Sequence, residues 1–96
     1  MATVLVTWTT AKVDVPSNTD LAQYLASIDT VGASNVKFGA PLEAQFDNVA
    51  PGDYIARVAL ANGDNSHLDF EKSVNFTVPA ATVALDAPDV VTVKIS

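Results

Sequence analysis

Cysteine is absent from this 96-residue chain, and histidine occurs only once, at position 67. Without cysteine the chain can form neither disulfides nor thiolate metal sites, so packing alone must stabilise it. A cysteine nucleophile and a multi-histidine metal centre are excluded as well. The serines have no glycine elbow or neighbouring base around them. We therefore expect no enzymatic activity, no catalytic residues, and no cofactor or metal site.

Basic residues are also scarce, with five Lys and Arg against eleven Asp and Glu and a net charge of −6. This balance argues against nucleic acid and against an anionic membrane surface as partners. No apolar run approaches the roughly 20 residues of a membrane span. Met1 to Trp8 lacks a basic segment and alternates polar with apolar residues, which predicts a strand and not a signal peptide. We expect a complete, short product that folds where it is made.

Apolar residues make up 49% of the chain and charged residues 17%, which is typical of a globular domain. Valine and threonine are frequent, so the composition favours strands over helices. At this length the chain has room for one domain with one core.

The segment from Asn48 to Asn65 has the clearest local pattern. Pro51 and Gly52 predict a tight turn, and the strand that follows, 54–61, alternates between two faces. Asn62-Gly63 then gives a strong hairpin signal. Further strands are predicted by the same alternation, at 3–10, 36–38, 42–47, 70–78 and 89–96.

Residues 20–30 fit two patterns. Leu21, Tyr24, Leu25 and Ile28 form a helical stripe, whereas Tyr24, Ala26 and Ile28 also alternate as in a strand. We favour the strand, because a seven-strand sandwich needs one here, and keep the helix as the alternative. Short strands separated by turns predict an all-β antiparallel sandwich of about seven strands.

The order of these features resembles a fibronectin type III or related immunoglobulin-like domain. Val4-Leu-Val-Thr-Trp8 is similar to the family's second strand, Tyr24 lies where its third strand places a tyrosine, and Val49–Tyr54 resembles its tyrosine corner. The resemblance covers residues 3–78. Two departures stand out: the turn before Tyr54 is one residue shorter than the commonest form, and the family's first strand is missing before Thr3.

Residues 87–96 look like that first strand transposed to the end of the chain. We therefore divide the chain into an immunoglobulin-like sandwich, 1–78, and a connector with a C-terminal extra strand, 79–96, within one domain. The hypothesis is that 79–96 fills the vacant first-strand position, in its own sandwich or in a neighbour's. The alternative is a strand added locally at an edge.

Candidate contact residues lie in two places. The loop 62–69 offers exposed polar groups, and the last strand offers apolar side chains; the residues selected are Asn62, Asp64, Asn65, His67, Val91, Val93 and Ile95. The loop oxygens are also of the kind that calcium prefers, but their spacing matches no EF-hand and Asn-Gly-Asp is equally what a hairpin needs.

The resemblance extends to small immunoglobulin-like proteins that decorate tailed-bacteriophage particles. It implies a structural virion protein, a capsid decoration or accessory subunit, assembled in the host cytoplasm. Its partners would be capsid or tail proteins, or its own copies in a homo-oligomer, through protein–protein contacts. The alternative is a carbohydrate- or cell-surface-binding immunoglobulin-like module, free-standing or excised from a larger adhesin.

Overall fold

A computed structural model describes all residues, 1–96, and it is all-β with no helix. Its six strands are β1 (Ala2–Thr7), β2 (Leu21–Ile28), β3 (Gly32–Lys37), β4 (Glu43–Val49), β5 (Gly52–Asn62) and β6 (Leu68–Val78). They form two antiparallel sheets, one with the order β1-β4 and one with the order β3-β2-β5-β6. The two sheets pack on one shared core in the manner of a β-sandwich.

β2 resolves the ambiguity of residues 20–30 in favour of a strand. It pairs with β3 on one edge and with β5 on the other. Tyr24, Ala26 and Ile28 face the core, and Ala26 and Ile28 are almost fully buried. Two neighbouring strands satisfy the backbone hydrogen bonds of β2 along its length.

Strand pairing places six strand termini at each end of the sandwich, four of which mark each end below. Ala2 pairs with Val49, and Gly52 pairs with Val78, so these four residues define what we call the corner end. The opposite, loop end contains the termini at Thr7, Leu21, Asn62 and Leu68.

The corner end is closed by a side-chain hydrogen bond. Tyr54 Oη donates to the backbone carbonyl of Ala50 at 2.6 Å, and the Tyr54 ring stacks on Phe76. Asn48, the last residue but one of β4, takes a left-handed φ of 58°. The shortened turn therefore still brings the tyrosine hydroxyl back to the backbone four residues upstream.

Residues 79–96, which we call the tail, form no strand and contact no strand edge. The predicted strand over 89–96 is therefore not formed within this chain, which has six strands and not seven.

The molecule measures 91 × 22 × 21 Å with a radius of gyration of 21.9 Å. A compact chain of this length would have a radius near 12 Å. Eighteen extended residues span about 59 Å, so the tail leads away from the corner end along the long axis.

Candidate interaction surfaces

One side of the sandwich lacks a covering strand. β1 pairs with β4 on one edge only, and nothing pairs with its other edge. On β6, Val74 pairs with the buried Ala56 and therefore points to the core side of its sheet, yet it is 61% exposed. We call this region, the free edge of β1 and the core-facing side of β6, the open side. Its exposed backbone and apolar surface form a natural site for an added strand.

A groove of about 800 Å³ lies at the loop end of the open side. Its lining is mostly apolar and includes four aromatic residues, Trp8, Tyr24, Phe38 and Phe70. Three of these rings meet edge to face, with centroids 5.6 Å apart for Trp8–Tyr24 and 5.0 Å apart for Tyr24–Phe38. Lys12 and Lys72 both line the groove, and Lys72 lies on β6, one core-facing position before Val74.

Phe70 reaches the groove through an unusual backbone conformation. Lys72 pairs with Val58 and Asp69 with Leu60, so two residues of β6 lie opposite one residue of β5 in a β-bulge. Phe70 adopts a left-handed φ of 53°, which is costly for a bulky residue. The residue remains 44% exposed. Bulges of this kind redirect a side chain, here towards the groove.

Trp8 carries an unsatisfied polar group in the same region. Its indole Nε1 is buried and has no hydrogen-bond acceptor. The residue follows β1 directly, and its backbone N–H donates to the Leu42 carbonyl at 3.4 Å. A buried donor without a partner is uncommon and marks a place where an acceptor from outside would be favourable.

The loop residues selected from the sequence lie in the turn between β5 and β6, where they bond to one another. Asn62 Nδ2 donates to Ser66 Oγ at 2.7 Å, and the backbone N–H of His67 donates to Asn62 Oδ1 at 3.3 Å. Hydrogen bonds from the hydroxyl and the backbone N–H of Ser66 hold the pKa of Asp64 below its usual value. These polar groups shape the turn.

Asn65 ties this turn to the neighbouring hairpin. Its side-chain amide exchanges two hydrogen bonds with that of Asn35 on β3, at 2.8 and 3.2 Å. Gln23 Nε2 adds bonds to the carbonyls of Asn62 and Gly63. Asn65 itself takes a left-handed φ of 64°.

The tail residues selected from the sequence are fully open to solvent. Val91, Val93 and Ile95 are 80–91% exposed and touch no other element. The loop residues lie at the loop end, while the tail leaves from the corner end. The structure therefore does not bring the two predicted sets of contact residues together within one chain.

The outer face of the four-stranded sheet carries one charge cluster. Arg57 bonds to Asp29 at 3.1 Å and to Glu71 at 3.0 Å, and these bonds raise the pKa of Arg57. No three His, Cys, Asp or Glu side chains come close enough together to hold a metal ion. No helix in the structure has the length and hydropathy needed to cross a membrane.

Sequence reasoning missed the groove, although each of its aromatic residues lies in a segment that the sequence resolved. The alternation of 70–78 gave Phe70 no special role, because the bulge that redirects it depends on pairing with β5.

Comparison with protein-family models, curated proteins and solved structures finds no match to this chain. The open side and the tail are thus the features from which a function can be argued.

Proposed function

We propose that this protein is a structural subunit with an immunoglobulin-like fold that decorates or completes a tailed-bacteriophage particle through protein–protein contacts. The observation that carries the proposal is the tail. Its large apolar side chains from Val83 to Ile95 are at least 80% exposed, and none of them packs against the core of its own sandwich. An exposed alternating segment of this kind binds by adding a strand to a sheet edge.

Two features support the immunoglobulin-like part of the proposal. The sheet orders β1-β4 and β3-β2-β5-β6 match the family's arrangement with its first strand removed. The hydrogen bond from Tyr54 Oη to the Ala50 carbonyl has the form of a tyrosine corner, in which a hydroxyl at the start of a strand bonds back to the upstream backbone.

The test is the protein content of virions. Particles of the phage that encodes this chain would be purified by density gradient and analysed by quantitative mass spectrometry. The proposal expects the chain in fixed stoichiometry with the capsid or tail subunits, resistant to washing at high salt. Its absence from purified particles, with recovery only in the soluble lysate, would contradict the proposal.

The aromatic groove favours a second function, a carbohydrate- or cell-surface-binding module. Tyr24, Phe38 and Phe70 offer apolar ring surface on which a sugar face can pack, and Lys72 adds a polar donor. A glycan array would test this reading, with Phe70→Ala as the variant expected to lose binding. Val74→Ala, on the same strand outside the groove lining, is the matched control.

A further inference from the structure

We propose that the tail of one copy fills the open side of a second copy, head to tail, as a strand antiparallel to β1. This inference rests on the proposed function, because it names the contact by which a structural subunit would assemble. It concerns the tail, the free edge of β1 and the uncovered side of β6, which no contact within one chain explains.

The direction in which the tail leaves the sandwich decides how it could pair with β1 of its own chain. β6 ends at Val78, at the corner end, and β1 starts there at Ala2. Folding back within one chain, the tail would run beside β1 in the same direction, as a parallel pair. An antiparallel pair would need the connector to travel first along the whole of β1, whereas the connector leads the opposite way, as the 91 Å length of the molecule requires.

The orientation of a second copy decides the direction in which it receives the tail. A second copy placed further along the same axis, in the same orientation, presents its loop end to the first copy's corner end. The incoming tail then runs from loop end to corner end, while the neighbour's β1 runs from corner end to loop end. The pair is antiparallel, which is the more stable ladder. Two copies related by a two-fold axis would give parallel pairs instead.

The tail is long enough to cover the free edge of β1 on a second copy. Residues 89–96 extend about 26 Å, and the six residues of β1 extend about 20 Å, so the segment covers the free edge. The connector, 79–88, spans up to about 33 Å, which is ample for the gap between two abutting sandwiches.

The alternation of the tail decides which of its side chains face inward on the second copy. Val91, Val93 and Ile95 share one face, and Val90, Thr92 and Lys94 share the other. With the first set inward, the added strand continues the inward row of Val4 and Val6 on β1 and covers Val74 on β6. Lys94 then stays in water, as a charged side chain must. Asp89 has the inward parity but is the first residue of the segment, which is two residues longer than β1, so it lies at the solvent-exposed entrance at the loop end.

The incoming strand also enters beside the groove at the neighbour's loop end. The start of the strand, next to Val91, is then the part nearest to the turn that contains Asn62 and His67. Head-to-tail contacts of this type build an open chain or a ring.

The test uses the full chain in analytical ultracentrifugation over a range of concentrations. The expected result is a ladder of masses that rises through successive multiples of 10.0 kDa, with a change in the emission of Trp8, the single tryptophan. Val93→Asp places a charge on the inward face and should weaken association by about 100-fold or more. Thr92→Asp places the same charge on the outward face and should associate as the natural chain does. Neither position has contacts that folding needs.

A complementation experiment tests the acceptor. Val74→Glu should block the open side, whereas Asn75→Glu, its neighbour on the opposite face of β6, should not. Mixing Val93→Asp, which keeps its open side, with Val74→Glu, which keeps its tail, should give one-to-one pairs that grow no further.

Three outcomes would overturn the proposal. The first is a natural chain that stays monomeric up to about 1 mM, the weak end of protein affinities. The second is association that stops at a dimer of the natural chain, as in a two-fold exchange, and the third is an equal effect of Val93→Asp and Thr92→Asp on association. Association without incorporation into virions would instead support strand donation and reject the proposed function.

Discussion

The two long sides of the sandwich differ in how completely they are covered. On the side where β3 meets β4, Val36, Ala44 and Phe46 are all buried, and both sheets contribute to the contact. On the open side, Val74 points towards the core and remains mostly exposed. The same alternating pattern therefore buries its apolar face on one side and displays it on the other. The difference arises because the smaller sheet has two strands and the larger has four.

The largest expected effect contrasts the two sides directly. Phe46→Ala on the closed side removes a side chain that is 7% exposed, and should lower the free energy of unfolding by about 3–5 kcal/mol. Val74→Ala on the open side should change it by less than about 0.5 kcal/mol. Urea unfolding of the monomeric Val93→Asp background, followed by Trp8 emission, gives both values. Equal losses would mean that the open side is packed.

The next effect concerns the corner end. Tyr54→Phe removes the hydroxyl that donates to Ala50 while keeping the ring on Phe76, and should cost about 1 kcal/mol. Tyr24→Phe is the matched control, because the Tyr24 hydroxyl makes no hydrogen bond and its loss should leave the unfolding free energy unchanged. The same denaturation measurement applies. An equal cost at both tyrosines would argue against the corner bond as the cause.

The strain at Phe70 should appear as an inverted ranking of alanine and glycine. Glycine adopts a positive φ freely, so Phe70→Gly should be more stable than Phe70→Ala by about 1 kcal/mol. Phe38 also lines the groove but does not have a positive φ, so there alanine should be the better replacement. Thermal unfolding of the four variants would show the two orders. Identical orders would mean that the bulge relaxes without cost.

The smallest effect is local and depends on pH. Because the pKa of folded Asp64 lies below its usual value of 3.8, its bonds with Ser66 persist above that pH and are lost as pH falls through the folded value. The amide proton signal of Ser66 in an NMR titration should report this transition. Ser66→Ala removes the hydroxyl donor and should move the pKa of Asp64 upward. A transition unaffected by that substitution would contradict the assignment.

Local pattern was sufficient for the strands and turns of residues 1–78. The structure contains the strands predicted at 42–47 and 54–61 and the turn predicted at Pro51-Gly52, each within two residues of its predicted position. The first strand ends at Thr7 and not at residue 10, and β3 begins four residues earlier than predicted. Strand ends depend on whether a partner strand continues beside them, and a single stretch of sequence contains no information on its partner.

The tail shows the same limit more sharply. Residues 89–96 alternate as cleanly as any strand of the sandwich, yet alternation records only that one face is to be buried. A strand needs an edge to pair with, and none lies where the connector leads. The hydrogen bonds of the loop residues were not predictable for a related reason, because Asn65 bonds to Asn35, which is 30 positions away. Distant partners of this kind follow from topology and not from a motif.

The exit of the tail at Val78 also decides how the protein would carry a mechanical load. Val78 is buried and is the last residue of a ladder that joins β6 to β5 back to Leu68. Hydrogen bonds in such a ladder lie across the strands. Tension between the tail and the loop end would therefore load the bonds of the ladder together, in shear, instead of opening them one at a time. The sandwich is oriented to resist stretching along its long axis.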